Sequence, residues 1–289
     1  MNLRALETLV RIARVGSFSA AAEEANMTLS AVSMQIKALE GELSVQIFDR
    51  AMRPPQLTPL GREVAAQAER VLREQAGLQR LCAPQNGLTG MFRIGMIQSA
   101  AVRFVPGILR QAARLAPAAR FDFATGLSAS MCAEVLSGYL DAAIVTRVGT
   151  EDPMLGFSTL ARDRLVLAFP AAIGATELSN IARQVPFLRF NPGSGIGQIV
   201  TRTLRARGVA LGESLTLDSI EAIMECVRQG SGFTILPEPD VSRHADPEVR
   251  IAPLEGEPVI RELSCVMRRG AQAHDWQVQL RDVLKAAIG

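Results

Sequence analysis

Histidine is almost absent from this chain, which has two among its 289 residues, His244 and His274. The four cysteines are widely scattered, and they form no CxxC pair. These absences argue against a zinc site or a disulfide framework, because both need clustered ligands or paired thiols. No grouping of a nucleophile with a base and an acid is visible either. We therefore expect neither an enzyme nor a bound cofactor.

The chain also lacks long apolar runs and a dominant charge. Its longest uncharged stretches, such as 165–176, are much shorter than the roughly 20 residues of a membrane span. Arg4, Glu7 and Arg11 lie where a secretion signal would have an apolar core, so we expect a cytoplasmic protein with no membrane partner. Residues 1–80 contain ten basic and nine acidic side chains, and ten minus nine is +1. Bulk charge therefore gives no sign of nucleic-acid binding.

The first 60 residues show a helical hydrophobic period that is interrupted by cap residues. Gly16 ends the first helical pattern, and Ser17 and Thr28 suit the caps of a second and a third helix. The third helix has an apolar face formed by Val32, Ile36, Leu39 and Leu43. Two short helices, a tight turn and a third helix with such a face predict a helix-turn-helix. A small helical bundle with no role in DNA binding would show the same pattern.

The outward face of the third helix and the segment after it supply candidate DNA contacts. The first amides of this helix suit a phosphate, and its exposed face would meet base edges. Two short extended runs around a turn with prolines at 54–55 follow, which is typical of a wing along the backbone or the minor groove. The predicted DNA contacts are Thr28, Leu29, Ser30, Ser33, Met34, Gln35, Lys37, Arg50 and Arg53.

Four motifs occur in a fixed order in this segment: GSFSAAAEEA at 16–25, SAVSMQIKALE at 30–40, FDR at 48–50 and LTPLG at 57–61. Together they resemble the LysR-type transcription regulators, and the resemblance extends over nearly the whole chain. It implies a sequence-specific regulator of transcription that is controlled by a small effector. The implied partners are double-stranded DNA and the effector, and RNA polymerase is a further candidate.

Two positions of the third helix depart from that family. Many members have Gln at the position of Leu29 and Arg at the position of Met34, whereas both residues are apolar here. The usual bidentate hydrogen bonds to adenine or guanine are therefore absent from these positions. We hypothesise that Leu29 or Met34 packs on a thymine methyl group. Specificity would then depend on Ser33, Gln35, the wing and DNA shape.

Residues 59–81 are predicted to form one long helix that links two parts of the chain. Thr58 and Pro59 suit its N-cap and first position. A heptad-like apolar seam runs along it, formed by Val64, Ala68, Val71 and Leu78. This seam would pack either on its own domain or on a second copy. The resemblance favours a dimer or a dimer of dimers, and the aperiodic segment 82–90 is predicted to be a hinge.

From residue 91 onward, apolar strand patterns alternate with helical ones in two successive units. This alternation predicts a mainly parallel, doubly wound sheet. The strands of the second unit are expected at 165–169, 187–190, 214–217 and 233–236, and 258–268 is expected to return to the first unit. The motifs LDSIEAI at 217–223 and GSGFTILP at 230–237 carry the family resemblance in this part.

The predicted fold class is therefore α/β with three parts. A winged helix-turn-helix occupies 1–58, and the linker helix and hinge follow it. Residues 91–289 form a two-lobed effector domain that resembles periplasmic binding proteins. Its first lobe is expected at about 91–161 and 267–289, and its second lobe at about 162–266.

Small polar residues follow several of the predicted strands, where open α/β sheets bind ligands. Together with free amides at helix starts, they suit an anionic group such as a carboxylate. Each residue alone is more typical of a cap or a turn, and Arg147 could instead pair with an acid. Their convergence on one cleft is what favours ligand binding. The predicted effector contacts are Gln98, Ser99, Thr125, Gly126, Arg147, Asn191, Gly193 and Ser194, among which the resemblance favours Ser99, Thr125 and Asn191.

Proteins of other functional classes use the same fold. A transport binding protein would need a secretion signal, and an enzyme would need a catalytic grouping. A redox regulator would need two cysteines that meet, such as Cys132 and Cys226, and their spacing does not favour this. We expect instead that the effector shifts the lobes and, through the hinge, changes the arrangement of dimers and the bending of DNA.

Overall fold

A computed structural model describes residues 2–82, 87–149, 152–174, 176–209, 214–270 and 275–288. The chain forms two compact units, Met1–Ala83 and Pro84–Gly289. Within the described ranges, no helix is both long and apolar enough to cross a membrane. Residues 83–86 of the predicted hinge, and His274, lie outside the described residues.

The first unit begins with three helices, α1 (Leu3–Val15), α2 (Phe18–Glu24) and α3 (Leu29–Leu43). Gly16 ends α1 in the left-handed conformation, with φ 73°, which a residue without Cβ adopts at little cost. The hydroxyls of Ser17 and Thr28 accept amide hydrogen bonds from the first turns of α2 and α3. The predicted helix-turn-helix is therefore confirmed, including both of its caps.

The apolar face of α3 is buried in the core of this unit, apart from its last member. Val32, Ile36 and Leu39 are each at most 1% exposed, and they pack with residues of α1 and α2. Leu43 was expected on the same face but is 37% exposed. It lies in the last turn of α3, one turn beyond Leu39.

A two-stranded wing and a long helix complete the first unit: β1 (Phe48–Asp49), β2 (Gln56–Leu57) and α4 (Pro59–Cys82). β1 and β2 pair antiparallel. Ala65 and Ala68 of α4 are buried in the core, with Val71 packed at its edge, whereas Leu78 is 62% exposed. The first half of the predicted seam therefore packs on its own unit, and the second half does not.

The second unit opens with β3 (Gly90–Met96), α5 (Gln98–Leu115), β4 (Ala119–Thr125), α6 (Ser128–Leu136), β5 (Ala142–Thr146) and β6 (Leu155–Pro170). It continues with α7 (Leu178–Ile181), β7 (Phe187–Phe190), α8 (Gly195–Ala206), β8 (Ser214–Leu217), α9 (Ile220–Arg228), β9 (Thr234–Pro237) and α10 (Glu238–Ser242). It ends with β10 (Val249–Pro253), β11 (Ile260–Arg268) and α11 (Asp275–Ala286).

The sheets of this unit are mixed, which corrects the expectation of a mainly parallel sheet. Parallel pairing joins β3 to β4 and β5, and it joins β7 to β8. By contrast, β11 lies antiparallel between β5 and the first half of β6, and the second half of β6 pairs antiparallel with β9 and β10. The strand expected at 165–169 is the end of this longer β6.

Separate hydrophobic cores define two lobes that share β6. Side chains of β3, α5 and α11 form the main core of the first lobe, and β7, α8 and α9 contribute to that of the second. Leu165–Phe169 lies in the second core, whereas Leu263 and Cys265 of β11 lie in the first. The chain therefore returns to the first lobe near the start of β11, before the expected boundary at 267.

Candidate functional site

The reading face of α3 is exposed but carries few polar side chains. Leu29 is 50% exposed and Met34 is 71% exposed, while Ser30, Ser33 and Lys37 are exposed beside them. A major groove facing this surface would meet two apolar side chains, two hydroxyls and one ammonium group. Thr28 lies at the helix start, where its hydroxyl caps α3.

Two of the predicted DNA contacts have partners within the unit. Gln35 is partly buried, and its side-chain oxygen accepts a hydrogen bond of 2.5 Å from the Thr8 hydroxyl. Arg50 donates to Glu40 at 2.8 Å, and the other oxygen of Glu40 accepts amides at the start of the wing. The Gln35 amide is therefore turned toward α1, and Arg50 stabilises the wing while it stays exposed. Arg53 is exposed in the wing turn.

A cavity of about 310 Å³ lies between the two lobes of the second unit. Six of the eight predicted effector contacts line it: Gln98, Ser99, Thr125, Gly126, Asn191 and Ser194. They come together because β3 and β4 end at one edge of the sheet, opposite the loop that follows β7. The same walls include Thr146, which the strand-end rule also selects, at the end of β5. They also include five polar residues that were not predicted from the sequence: Ser128, Asp218, Glu221, Arg243 and His244.

The wall from the first lobe is uncharged and offers unused hydrogen-bonding groups. Helices α5 and α6 both begin here, after Ile97 and Leu127, and neither start has a side-chain cap. Ser128 and Thr146 are 8% and 2% exposed, and their hydroxyls have no hydrogen-bond partner among the described residues. Buried polar groups are normally paired, so this wall is suited to an additional acceptor.

The wall from the second lobe is built on a capped helix start. Ser194 accepts the amide of Gly197 at 3.0 Å, and Asn191 accepts that of Gly193 at 2.9 Å. A Cβ on Gly197 would lie 2.2 Å from the Asn191 carbonyl oxygen, so only glycine fits this turn. The loop 191–197 is thus held by its own side chains, and a ligand there would meet a rigid surface.

All the charged side chains of the cavity come from the second lobe. Glu221 has a lowered pKa because its own backbone amide, Ser219, His244 and Arg243 favour the ionised carboxylate. Asp218 is exposed, and no described cation forms an ion pair with it. Arg243 donates to Asp240 at 2.6 Å, which offsets the positive charge of its guanidinium. This wall therefore combines two carboxylates with one cation that already has an acidic partner.

A buried network of ions lies where β6 and β11 connect the lobes. Arg261 is 1% exposed at its side chain and donates to Asp163 from Nε at 3.1 Å and from Nη2 at 2.6 Å. Its Nη1 donates to Asp240 at 3.0 Å and to the Ser99 hydroxyl at 3.1 Å. Since Ser99 accepts this bond, its own hydroxyl hydrogen is available to a ligand. Arg103 of α5 also donates to Asp163, at 2.7 Å.

Arg147 and Gly193 do not line the cavity. The guanidinium of Arg147 donates to Glu262 of β11 at 3.0 Å, which matches the alternative that it pairs with an acid. Hydrogen bonds from Thr159, Arg147 and Ser264 lower the pKa of Glu262, and that from Thr159 contributes most. Gly193 lies on the outer side of its loop, where its amide is bound by Asn191.

The thiols of the described residues give no redox pair. Cys132 packs in a core of the first lobe, beside Val135, and Cys226 packs against the core of the second lobe. Burial raises the pKa of Cys265 to about 12, so this thiol is unreactive at neutral pH. Across the described ranges, no group of three or more His, Cys, Asp or Glu is placed to hold a metal ion.

Known proteins resemble both units of this chain. Residues 3–62 match the family model described as "Bacterial regulatory helix-turn-helix protein, lysR family", and residues 85–288 match "LysR substrate binding domain". The HTH-type transcriptional regulator CzcR of Bacillus cereus is 28% identical over 239 residues, which cover 82% of this chain and 81% of that protein. The regulator YofA of Bacillus velezensis is 29% identical over 80% of this chain and 79% of its own.

Solved structures share the fold at low sequence identity. Full-length CbnR in complex with its target DNA has a TM-score of 0.73 at 20% identity, over 99% of this chain and all of CbnR. A probable transcriptional regulator from Pseudomonas aeruginosa has a TM-score of 0.76 at 18% identity, over 99% of this chain and 96% of its own. With both family models matched in order along the chain, the protein belongs to the LysR family of DNA-binding transcription regulators, which are not enzymes, and its second unit is their effector-binding domain.

Proposed function

We propose that this regulator responds to a small effector that places an anionic group, such as a carboxylate, in the cavity between the lobes. The observation that carries the proposal is the pair of buried, unpartnered hydroxyls of Ser128 and Thr146 on the uncharged wall. The uncapped starts of α5 and α6 add amide donors, and Ser99 adds a hydroxyl hydrogen. Donors that converge without a counter-charge favour an anion.

Effector binding would act on the strands that connect the lobes. Ser99 lines the cavity and bonds directly to Arg261, while Arg243 lines it from the other lobe and bonds to Asp240. Both contacts lead into the buried ions between β6 and β11. An effector that draws the two walls together therefore moves Ser99 and Arg243, which are both hydrogen-bonded to this buried network. The network lies where β6 and β11 connect the lobes, so a change in the angle between the lobes must involve it. This is the link that we assign between effector binding and DNA binding.

The remaining parts of the function follow the domain order. Residues 1–58 are assigned to DNA binding, 59–81 to the linker and dimer helix, 82–90 to the hinge and 91–289 to the effector domain. Dimers, or a dimer of dimers, suit two-fold DNA sites, and the exposed Leu78 of α4 leaves apolar surface for a second copy. As a DNA-binding regulator, the protein is assigned to the cytoplasm, with RNA polymerase as a further partner.

Two measurements test the proposal. Genome-wide mapping of bound sites should give an enriched inverted repeat, and its absence would contradict dimeric DNA binding. A library of small carboxylic acids, with their uncharged and cationic analogues, is screened by thermal unfolding. It should contain acids whose binding Ser128→Ala and Thr146→Val each weaken by about tenfold to a hundredfold, since a hydrogen bond to a charged group is lost. Ser130→Ala is the matched control, because that hydroxyl is exposed on the same helix and bonds to Glu134. Binding only of uncharged or cationic compounds would overturn the anionic effector.

A further inference from the structure

The two walls of the cavity have opposite electrostatic preferences. The first-lobe wall offers only neutral donors, in particular the hydroxyls of Ser128 and Thr146. The second-lobe wall carries Asp218 and Glu221 within the same cavity. An effector with an anionic group alone would satisfy the first wall and leave the second wall, which is rich in carboxylates, without a counter-charge.

The positive groups on the second-lobe wall do not cancel these carboxylates. Arg243 is bound to Asp240, whose carboxylate is fully buried and also bound to Arg261. Arg243 and His244 lie close enough to Glu221 to favour its charged form, which keeps a carboxylate at this wall. Asp218 is exposed, lines the cavity and has no ion-pair partner within the described part of the chain. The carboxylate of Asp218 therefore remains without a counter-charge, which a ligand would supply.

We propose that the effector is a zwitterion, with a carboxylate on the hydroxyl wall of the first lobe and an ammonium group at Asp218 and Glu221 of the second. Amino acids and ω-amino acids are the chemical class with this pair of groups. This inference rests on the proposed function, since it assigns the second half of the same ligand. It also gives the ligand a means of closing the cavity, because one molecule would bind both lobes at once.

The test compares matched ligands on the full-length protein. The probes are the standard amino acids, 4-aminobutyrate and 6-aminohexanoate, each with the acid that lacks its amine and the amine that lacks its carboxylate. Binding is measured by calorimetry or by thermal unfolding. We expect at least one amino acid to bind about tenfold or more tightly than both of its singly charged counterparts, because each of these lacks one ionic contact.

Two variants assign the groups. Asp218→Asn and Glu221→Gln should each weaken binding of the zwitterion by about tenfold and leave binding of the matched acid unchanged. Glu225→Gln is the control, because Glu225 lies on α9 together with Glu221 but outside the cavity, where it pairs with Arg228. Ser128→Ala should weaken binding of the zwitterion and binding of the matched acid by similar factors.

The outcomes separate the two proposals. If acids without an amine bind as tightly as amino acids, and Asp218→Asn has no effect, the zwitterion is overturned while the anionic effector stands. If amines bind as tightly as amino acids, and Ser128→Ala has no effect, the anionic effector is overturned as well. Absence of binding by every probe contradicts both proposals.

Discussion

Replacement of Arg261 by methionine probes the ions between β6 and β11. The side chains of Asp163 and Asp240 are 3% and 0% exposed, and both lose a guanidinium in Arg261→Met. Removing one partner of a buried ion pair costs about 3–5 kcal/mol of folding free energy. Arg103 and Arg243 each still contact one of the two carboxylates. We therefore expect the lower end of that range, about 3 kcal/mol at pH 7.

The pH dependence of this loss has a definite sign. Burial raises the pKa of Asp240 in the folded protein, and removal of Arg261 raises it further because a favourable positive charge is lost. A carboxyl whose folded pKa exceeds its unfolded value binds protons preferentially in the folded state. Lowering the pH toward that folded pKa therefore stabilises the folded variant relative to the wild type. The deficit of Arg261→Met should be smaller at pH 5 than at pH 7.

The assay uses the single tryptophan of the chain. Trp276 lies on α11, and its ring centroid is 6.0 Å from that of Phe92 in the first-lobe core. Its fluorescence in urea therefore follows unfolding of the second unit. Arg103→Met is the matched control, because that side chain is 31% exposed, and we expect it to cost about 1 kcal/mol or less. A loss below about 1 kcal/mol for Arg261→Met, or an equal loss at both pH values, would refute the reasoning.

Three further predictions concern other parts of the chain. In Gly61→Ala the new Cβ would lie 2.0 Å from a backbone oxygen, so DNA binding should be lost while the unfolding transition followed by Trp276 is unchanged. The control Gly77→Ala places its Cβ within 4 Å of no atom beyond its neighbours along the helix, so it should retain DNA binding. Its free energy of unfolding, followed by circular dichroism, should rise by up to about 1 kcal/mol. Cys265 should resist iodoacetamide at pH 8 until denaturant is added, and mass spectrometry showing ready labelling of the native protein would contradict its raised pKa. Replacing thymine by uracil in a selected DNA site should weaken binding about fourfold for each methyl contacted, and Met34→Ala should remove that sensitivity; equal affinity of the wild type for both DNAs would contradict the contact.

Local signals allowed the first unit to be predicted closely from the sequence. Gly16, Ser17 and Thr28 act through their own backbone turns, so their roles are visible without any tertiary contact. The role of Gln35 was not visible in this way, because Thr8, its partner, lies 27 residues away on another helix. Sequence patterns therefore identified the ends of the reading helix better than the set of side chains free to read DNA.

In the cavity, the sequence rule about strand ends selected residues of the first lobe and the loop after β7. The same rule would have selected Asp218, which directly follows the expected strand at 214–217. It does not apply to Glu221, which lies in the first turn of α9, or to Arg243, which follows the five-residue helix α10. Nor did it find Arg261, which a strand pattern treats as an outward-facing charge. Its burial depends on two carboxylates from distant parts of the chain, and such pairing has no local signature.

The polarity of the cavity follows from how the two lobes are capped. Helices α8 and α9 begin at serines whose hydroxyls accept amide hydrogen bonds from the first turn of each helix. The second lobe therefore already supplies acceptors at these helix starts, and its charged groups in the cavity include two carboxylates. Helices α5 and α6 begin after Ile97 and Leu127, which cannot accept a hydrogen bond through their side chains, so the first lobe leaves donors unused. A ligand that supplies the missing acceptor to one lobe and the missing cation to the other stabilises their approach more than it stabilises either lobe alone. The amine is therefore expected to contribute to the change in DNA binding, and the matched acid should bind without producing the full response.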